Sequence, residues 1–185
     1  LQVYASVLDG GTPLVVTDLP TAELVKVSAN AFLATKISFI NAIAEICEMT
    51  GADVVKVADA IGYDPRIGRS FLDAGLGFGG GCLPKDIRAF IARAGEIGAG
   101  QSLLFLHEVD AINLRRRERV AEIAAELVGG TLIGRKVAVL GVAFKPHSED
   151  VRDSHALNVA GRLQLQGAHV AVYDTLVAEY LRNTR

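Results

Sequence analysis

Cysteine is scarce in this sequence, with only Cys47 and Cys82 among 185 residues. Two thiols cannot form the disulfide framework of a small secreted scaffold, so we expect a reducing, cytoplasmic location. The four histidines are scattered without a metal-ligand spacing, and no metal site is predicted. Cys47 lies within an apolar helical pattern and is expected to be a small core residue. Disulfide-rich scaffolds and zinc modules are therefore excluded.

A large charge of one sign and long membrane-spanning runs are also missing. The formal net charge is −2, which provides no general attraction to nucleic acid or to an anionic membrane. No apolar run is expected to cross a bilayer, and the N-terminal residues lack a signal-peptide pattern. Half of the residues are hydrophobic and 22% are charged. This balance is typical of a globular protein of one or two domains, with neither nucleic acid nor membrane as a partner.

Glycine, by contrast, is concentrated at 77–81, where four of five positions are glycine and Cys82 follows directly. Glycine permits positive φ and close approach of the backbone to a ligand, which predicts a loop. Pro84 then predicts a helix start, with Lys85 and Asp86 in the first turn. A helix N-terminus favours a nearby thiolate. The residues leave two interpretations open: an activated cysteine beside a ligand site, or a glycine-rich turn with a buried structural thiol.

A long apolar pattern predicts a helix from an N-cap at Thr21 to a stop at Gly51. The pattern is apolar nearly all round, so we expect burial on most faces. A length of roughly 40 Å further indicates packing against a partner chain. Lys26 and Asn30 are four residues apart, share one face, and could stabilise an oxyanion together. Lys26 could instead be a solvated surface charge, although its apolar surroundings weigh against this.

Shorter patterns account for most of the remaining chain. Residues 53–61 and 84–94 are predicted helices, and 101–128 is a third, longer one. Its arginines at 115–119 are predicted to form a solvated or ion-paired face rather than a nucleic-acid site. Residues 14–16 are predicted to form a short strand.

From residue 131 onward the pattern becomes strand, helix, strand. The strands are predicted at Lys136–Leu140 and His169–Tyr173, with a helix over 153–166 between them. This order predicts parallel strands and the beginning of a doubly wound α/β domain. The loop at 141–145 follows the first strand, at the sheet edge where such domains bind ligands.

Three blocks of the sequence resemble one family, in its order and at about its spacing. Residues 77–86, GFGGGCLPKD, resemble the catalytic-cysteine motif of the UDP-glucose dehydrogenase family, the NAD-dependent nucleotide-sugar 6-dehydrogenases. Residues 23–41 and 141–154 supply the other two blocks. The resemblance covers nearly the whole chain. It departs from the family pattern at Gly81, where many relatives carry Ser, and at His147, where Asn is frequent.

The resemblance implies oxidation of the C6 alcohol of UDP-glucose to the carboxylate of UDP-glucuronate with two NAD. The reaction would proceed through a thiohemiacetal and a thioester on Cys82. Lys26 and Asn30 would contact the C6 oxygen, and Asp86 would organise water. From the residues alone, Asp86 could instead be a first-turn acid favoured by the helix dipole. GDP-mannose or another nucleotide sugar is the alternative substrate.

The resemblance also implies residues that bind ligands. Arg152, together with Cys82, is implied at the cofactor. Asp174 resembles a ribose-binding acid, although an aspartate at a strand end is also common in turns. The implied substrate-binding residues are Arg66, reaching the site of a neighbouring subunit, and Phe71, Leu72, Gly75, Phe78, Gly79, Phe144 and Lys145.

The implied organisation is mixed in fold class. Residues 1–20 would be a remnant of an N-terminal NAD-binding domain, and 21–100 an all-α dimerisation domain that carries the cysteine. Residues 101–130 would be a connecting helix, and 131–185 the start of a Rossmann-like nucleotide-sugar domain. Because most of the NAD-binding domain lies outside these residues, we expect the chain alone to dimerise through the 21–49 helix and to be catalytically inactive.

Overall fold

A computed structural model describes residues 2–177 and contains a helical part followed by an α/β part, as the sequence predicts. Short 3-10 helices at Gln2–Tyr4 and Gly100–Leu103 precede α1 and α5. The main elements are α1 (Ala5–Asp9), α2 (Leu19–Thr50), α3 (Val54–Gly62), α4 (Leu83–Glu96), α5 (Leu104–Leu127), β1 (Lys136–Leu140), α6 (His155–Leu165) and β2 (His169–Tyr173).

Helix α2 begins two residues before the predicted N-cap. Asp18 is the N-cap, and its Oδ1 accepts a hydrogen bond from the Thr21 backbone N–H at 2.9 Å. The prediction of Thr21 as the N-cap is therefore wrong, because Asp18 caps the helix and Pro20 fits its first turn. The predicted stop is confirmed, since Gly51 takes the left-handed conformation at φ 73°.

One face of α2 packs on the rest of the chain, and the opposite face does not. Ala34 and Ile40 are fully buried, whereas Phe32 is 65% and Phe39 is 49% exposed. The expectation of burial on most faces is thus wrong within a single chain. Helix α2 also meets the length and composition criteria of a membrane-spanning helix, with mean hydropathy 1.3 and one third of that window buried. The expectation that no segment would do so is wrong, although core helices meet the same criteria.

Helix α5 joins the two parts of the molecule. Its N-terminal half packs with α2 and α4, and the small side chains of Ala31 and Ala34 let these helices approach closely. Its C-terminal half packs against α6 and the strands through Ala121, Val159 and Leu163. A third cluster holds α3 against α2. It consists of Ile40, Ala58 and Leu72.

The strands β1 and β2 are parallel, with Lys136 opposite His169 and Leu140 opposite Tyr173. Both strand bounds and the crossover through α6 are confirmed. Helix α6 begins later than predicted, because Asp153 has φ 47° and Ser154 is the N-cap. The β1 end that leads into residue 141 faces the helical part of the chain, and this positions the candidate site.

One prediction about surface segments is wrong, and another is confirmed in part. Residues 14–16 form no strand, because no other segment within 2–177 pairs with them. The arginine cluster on α5 is only partly a surface feature. Arg119 forms ion pairs with Glu48 and Glu126, but Arg116 and Arg117 are buried at 8% and 2% exposure.

Candidate active site

Cys82 is the N-cap residue of α4, and its side chain is exposed. Pro84 lies in the first turn, as predicted, and fixes φ where no helical N–H bond is lost. Asp86 lies in the same turn and is 7% exposed. Its N–H donates to the Cys82 carbonyl at 2.9 Å, which closes the first helical turn. The thiol therefore projects from a helix N-terminus.

The Asp86 carboxylate lies between α4 and α2. Lys26 Nζ donates to Asp86 Oδ2 at 2.6 Å, and Asn30 Nδ2 donates to the same oxygen at 2.7 Å. Lys85 Nζ lies 3.7 Å from Oδ1. The structure thus brings Lys26, Asn30 and Asp86 together one helical turn from Cys82. A first-turn acid that served only the helix dipole would not need two side-chain donors from another helix.

These contacts determine the charges of Asp86 and Lys26. The hydrogen bond from Lys26 holds the pKa of Asp86 below its ordinary value, with further lowering by Asn30 and opposition from burial. The same hydrogen bond raises the pKa of Lys26, and the nearby charge of Cys82 adds a smaller contribution in the same direction. At neutral pH the site therefore contains a carboxylate and an ammonium, and the ammonium is 67% exposed at the edge of the site.

The loop before Cys82, residues 77–81 and called the cysteine loop below, is covered by other parts of the protein. A Cβ at Gly79 would lie 2.3 Å from the Asp153 carbonyl oxygen, and one at Gly80 would lie 2.6 Å from the Phe144 ring. A Cβ at Gly81 would lie 3.2 Å from the Arg152 guanidinium carbon. The residues that follow β1 thus press directly onto the loop. At Gly79, a predicted substrate-binding residue, protein atoms occupy the space that a side chain would take.

Two cations that were predicted to bind ligands, Arg152 and Lys145, are exposed. Arg152 forms a salt bridge with Asp150 at 2.6 Å and is 77% exposed. Hydrogen bonding to Asp150 raises its pKa, and the charge of Cys82 adds a smaller contribution. Lys145 Nζ lies 5.4 Å from the centre of the Phe144 ring. Both cations lie in the segment that covers the cysteine loop.

Three of the predicted substrate-binding residues make contacts within the protein. Leu72 is 2% exposed within the third hydrophobic cluster, and Phe78 is 2% exposed within the first. Their apolar side chains fill the core. The Gly75 N–H donates to Asn41 Oδ1 at 2.9 Å, and its carbonyl accepts from Arg116 at 3.3 Å. Both backbone polar groups of Gly75 are thus already used.

Phe71 and Arg66 remain available to a ligand or partner. Phe71 has φ 64° and is 43% exposed. Arg66 is exposed and paired with Asp64 at 2.6 Å. Lys36 Nζ donates to the carbonyls of Ile67 and Gly68 at 2.9 and 3.0 Å and so holds the loop of Arg66. Neither Phe71 nor Arg66 contacts the Cys82 group in a single chain.

Asp174 is engaged by the backbone around it. Its Oδ2 accepts from Val142 N at 2.8 Å and Ala143 N at 3.3 Å, and its Oδ1 accepts from Leu176 N at 2.8 Å and Val177 N at 3.1 Å. These bonds lower its pKa to about 2. The alternative that Asp174 organises a turn at the strand end therefore describes it better than ribose binding does.

Two residues of α5 act on the cysteine loop and were not predicted as site residues. Asn113 makes a two-bond clamp on Phe78, accepting from its N–H at 2.7 Å and donating to its carbonyl at 3.0 Å. Arg117 Nη2 donates to the same carbonyl at 3.2 Å. The only local signal was their i, i+4 spacing on one face of a helix, which does not identify a partner about 35 residues away.

A cavity of about 430 Å³ lies where β1 and β2 end. The cavity is next to the cysteine loop, because the Phe144 ring lines the cavity and also packs on the loop. Its lining mixes apolar and polar side chains, as small-molecule sites do. Among the lining residues are Leu76, Ala143, Phe144, Lys145, His155 and Asp174.

The chain was then compared with known proteins. Residues 20–115 match the UDP-glucose/GDP-mannose dehydrogenase family, central domain, and residues 138–184 match the UDP binding domain of that family. The chain belongs to this family. The resemblance of the three sequence blocks is thereby confirmed, and so is the order of helical and α/β parts.

Individual relatives agree with this membership. UDP-glucose 6-dehydrogenase TuaD of Bacillus subtilis is 49% identical over 164 residues, which cover 89% of this chain and 35% of that protein. UDP-glucose 6-dehydrogenase of Rhizobium meliloti is 44% identical over 94% of this chain and 39% of that protein. The structure of a UDP-glucose dehydrogenase from Pyrobaculum islandicum superposes with a TM-score of 0.88 at 40% identity, over 94% of this chain and 39% of that one. The chain therefore spans under two fifths of the length of each of these relatives.

The family membership also clarifies a glycine spacing. Gly75, Gly77 and Gly80 have the G-x-G-x-x-G spacing of a dinucleotide fingerprint. That fingerprint requires a preceding strand and a following helix that bind the pyrophosphate between them. Here the segment follows no strand and lies within the central-domain match. It is the family's cysteine loop and not a dinucleotide motif.

Proposed function

We propose that this chain supplies the catalytic cysteine and part of the sugar-nucleotide site of a UDP-glucose 6-dehydrogenase. The reaction is oxidation of the C6 alcohol of UDP-glucose to the carboxylate. The observation that carries the proposal is the convergence of Lys26 and Asn30 on Asp86, one helical turn from an exposed Cys82. A cation, an amide, a carboxylate and a thiol together are the groups that this oxidation requires.

In the first oxidation the alcohol gives its hydroxyl proton to water and loses a hydride from C6, and an aldehyde forms. The hydroxyl oxygen gains negative charge as this happens. Lys26 is an exposed ammonium and Asn30 has donor capacity, so both turn from Asp86 toward that oxygen and stabilise it. Because the pKa of Lys26 is raised, Lys26 acts as a charged donor and not as the base at neutral pH.

In the second oxidation the Cys82 thiolate attacks the aldehyde carbon. A C–S bond forms, the carbonyl electrons move to oxygen, and loss of a second hydride leaves a thioester. Water then adds to the thioester carbon and the C–S bond breaks, so that the thiolate is restored; one proton of the water passes to Asp86, and the acid that forms loses the other to solvent and leaves as the carboxylate. Asp86 remains a carboxylate because its pKa is lowered, so it orients that water and accepts its proton.

NAD, when bound, accepts one hydride in each oxidation. This chain contributes to that cofactor site at Arg152, whose guanidinium is exposed and packs over Gly81 beside Cys82. A guanidinium at this place fits a pyrophosphate or ribose contact. Within 2–177 no strand leads into a glycine fingerprint, so the remainder of the cofactor site is proposed to lie on a separate domain.

The nucleotide is proposed to bind in the cavity where β1 and β2 end. The family match over 138–184 carries the description UDP binding domain, and parallel sheets bind ligands at this edge. Lys145 and the Phe144 ring provide a cation and a stacking surface there. Because the family description includes GDP-mannose, that sugar nucleotide is the alternative substrate.

The decisive experiment joins this chain to its NAD-binding domain and counts NADH formed for each sugar oxidised. UDP-glucose should yield two NADH, and GDP-mannose and UDP-N-acetylmannosamine should yield almost none. The Cys82→Ala variant should yield at most one NADH from each UDP-glucose, because the second oxidation needs the thioester. Cys47→Ala, in the buried core of α2, is the matched control and should keep two. Failure to oxidise UDP-glucose, or two NADH from the Cys82 variant, would refute the proposal.

We further propose that the exposed face of α2 pairs with a second copy of the chain. Val25, Phe32, Phe39 and Ile46 are spaced seven residues apart and are between 49% and 65% exposed. A repeat of seven forms one apolar stripe along a helix, as in helix pairs that pack side by side. Arg66, at the end of the loop that Lys36 holds, would then reach toward the partner's site.

Sedimentation of the 185-residue chain tests this pairing. The chain should sediment as a dimer, and Phe32→Glu with Phe39→Glu should convert it to a monomer. Leu165→Glu replaces an apolar residue on α6 that is 89% exposed, and it should leave the dimer intact. A monomeric parent chain, or a dimeric double variant, would contradict the proposal.

For the isolated chain we propose a cytoplasmic dimerisation module without catalytic turnover. Both cysteines are free, which suits a reducing compartment. The chain mixed with NAD and UDP-glucose should form no NADH. Measurable NADH would show that the described residues already contain a complete cofactor site.

A further inference from the structure

Helix α5 holds the cysteine loop through hydrogen bonds to the loop backbone. Asn113 and Arg117 lie one helical turn apart, are 1% and 2% exposed, and both bond the backbone of Phe78. Phe78 precedes Cys82 by four residues. At Gly77 a Cβ would lie 2.0 Å from Asn113 Oδ1, so only glycine permits this approach. The loop is therefore attached to α5 immediately before it delivers the thiol to the N-terminus of α4.

Arg117 also reaches the segment that covers the loop. Its Nη1 lies 3.4 Å from Asp153 Oδ1, while its Nη2 donates to the Phe78 carbonyl. Asp153 directly follows Arg152, and its carbonyl packs on Gly79. One buried guanidinium thus connects the loop before Cys82 with the segment that places Arg152 over Gly81.

The contacts of Arg117 are poorly suited to stabilising the fold. The ion pair to Asp153 is long, and Arg117 Nε is buried with no hydrogen-bond partner among residues 2–177. A buried cation with an unused donor costs free energy that a well-packed apolar residue would not. The geometry makes better sense if the guanidinium fixes the relative position of two segments.

We propose that Arg117 is a positioning residue for Cys82, which bridges the Phe78 carbonyl and Asp153 and so holds the thiol at the N-terminus of α4 beneath the 150–153 segment. The proposal rests on the catalytic role of Cys82 given above. Loss of the Arg117 bridge should therefore let the cysteine loop move away from the N-terminus of α4. The sulfur then moves away from the helix N-terminus and from the charges of Lys26 and Arg152.

The test compares alkylation of Cys82 by two reagents, neutral iodoacetamide and anionic iodoacetate, at one pH in the 185-residue chain, with peptide mass spectrometry to separate it from Cys47. In Arg117→Met, the ratio of the iodoacetate rate to the iodoacetamide rate should fall by about threefold or more, because Lys26 and Arg152 no longer lie beside the sulfur and attract the anion. Arg119→Met removes an arginine from the same helix that bonds Glu48 and Glu126 and should leave this ratio unchanged.

Asp153→Asn provides a second variant that keeps Arg117 in place. Asp153 has positive φ, which asparagine tolerates, and its side chain is 32% exposed, so the fold should persist. Its rate ratio should also fall, by a smaller amount, even though this variant removes a negative charge. An unchanged ratio in both variants, with only a lower melting temperature, would overturn the proposal. Since alkylation requires neither NAD nor sugar, this result is independent of whether the proposed oxidation is correct.

Discussion

Two carboxylates in different parts of the molecule are almost equally buried, and yet they are held by different kinds of donor. Asp86 at the start of α4 and Asp174 at the end of β2 are 7% and 9% exposed, and both have lowered pKa values. They differ in their donors. Asp86 is held by the side chains of Lys26 and Asn30, whereas Asp174 is held by four backbone N–H groups.

The donors decide which carboxylate is available for chemistry. A side-chain donor can turn toward a substrate and return, and Lys26 at 67% exposure has room to do so. A backbone N–H is fixed by the fold and leaves only if the loop unfolds. A lowered pKa alone therefore does not identify a catalytic acid, and the origin of the hydrogen bonds separates the two cases.

The largest effect is expected from Asp86→Asn. In the chain joined to its NAD-binding domain, turnover should fall about 100- to 10,000-fold, because water is no longer oriented and deprotonated. The melting temperature should change little, since the lost partner, Lys26, is solvated. Turnover within threefold of the parent would show that Asp86 is a structural acid like Asp174.

The next effect is expected from Asp174→Ala. Four backbone N–H groups lose their acceptor, two of them in the buried residues Val142 and Val177, so the free energy of unfolding should fall by roughly 3 kcal/mol. Asp150→Ala is the control. Its pKa is also about 2, but its partner Arg152 is 77% exposed. Urea unfolding should show a much smaller loss for Asp150→Ala, and equal losses would contradict the distinction by donors.

A smaller effect is expected on acidification. The folded pKa of Asp174 is about 2 and its ordinary value is 3.8, so its contribution is complete above about pH 4 and is lost as pH falls toward 2. The loss should amount to roughly 2 kcal/mol. Urea midpoints between about pH 5 and pH 2 should therefore fall more steeply in the parent than in Asp174→Ala. Parallel curves would assign the acid sensitivity to other groups.

The smallest effect is expected from Lys85→Gln. Lys85 Nζ is 3.7 Å from Asp86 Oδ1, and its side chain is 72% exposed. An exposed pair of this kind contributes about 0.5 kcal/mol or less. Thermal unfolding should detect almost no change, and turnover should stay within about twofold because Lys26 and Asn30 still hold Asp86. A large loss would place Lys85 within the site.

Local patterns predicted the elements whose signals are local. The strands at 136–140 and 169–173 are short β-branched runs bounded by turn residues, and both were predicted to the residue. The shared face of Lys26 and Asn30 followed from helical spacing, and their meeting at Asp86 agrees with it. The cysteine at a helix N-terminus followed from the glycine run and Pro84.

Features that depend on distant partners were not predictable from local pattern. An apolar residue in a glycine loop suits a ligand site and a core equally well, and Phe78 and Leu72 belong to the core. Arg117 looked like part of a surface cluster because its bonds reach residues 36 and 39 positions away. The exposed apolar stripe of α2 could not be distinguished in the sequence, because the helix is apolar on nearly every side.

The three glycines at 79–81 have a consequence for how mutational data on this protein should be interpreted. Each is bare because a neighbour from beyond β1 occupies the space of its missing side chain: a carbonyl, an aromatic ring and a guanidinium in turn. A saturation library would show Gly79 and Gly80 as intolerant, and their closeness to the cysteine would suggest a catalytic role, whereas Gly81 faces an exposed arginine and should tolerate small side chains. The intolerance of Gly79 and Gly80 would instead report how closely the cysteine loop packs against the segment that follows β1.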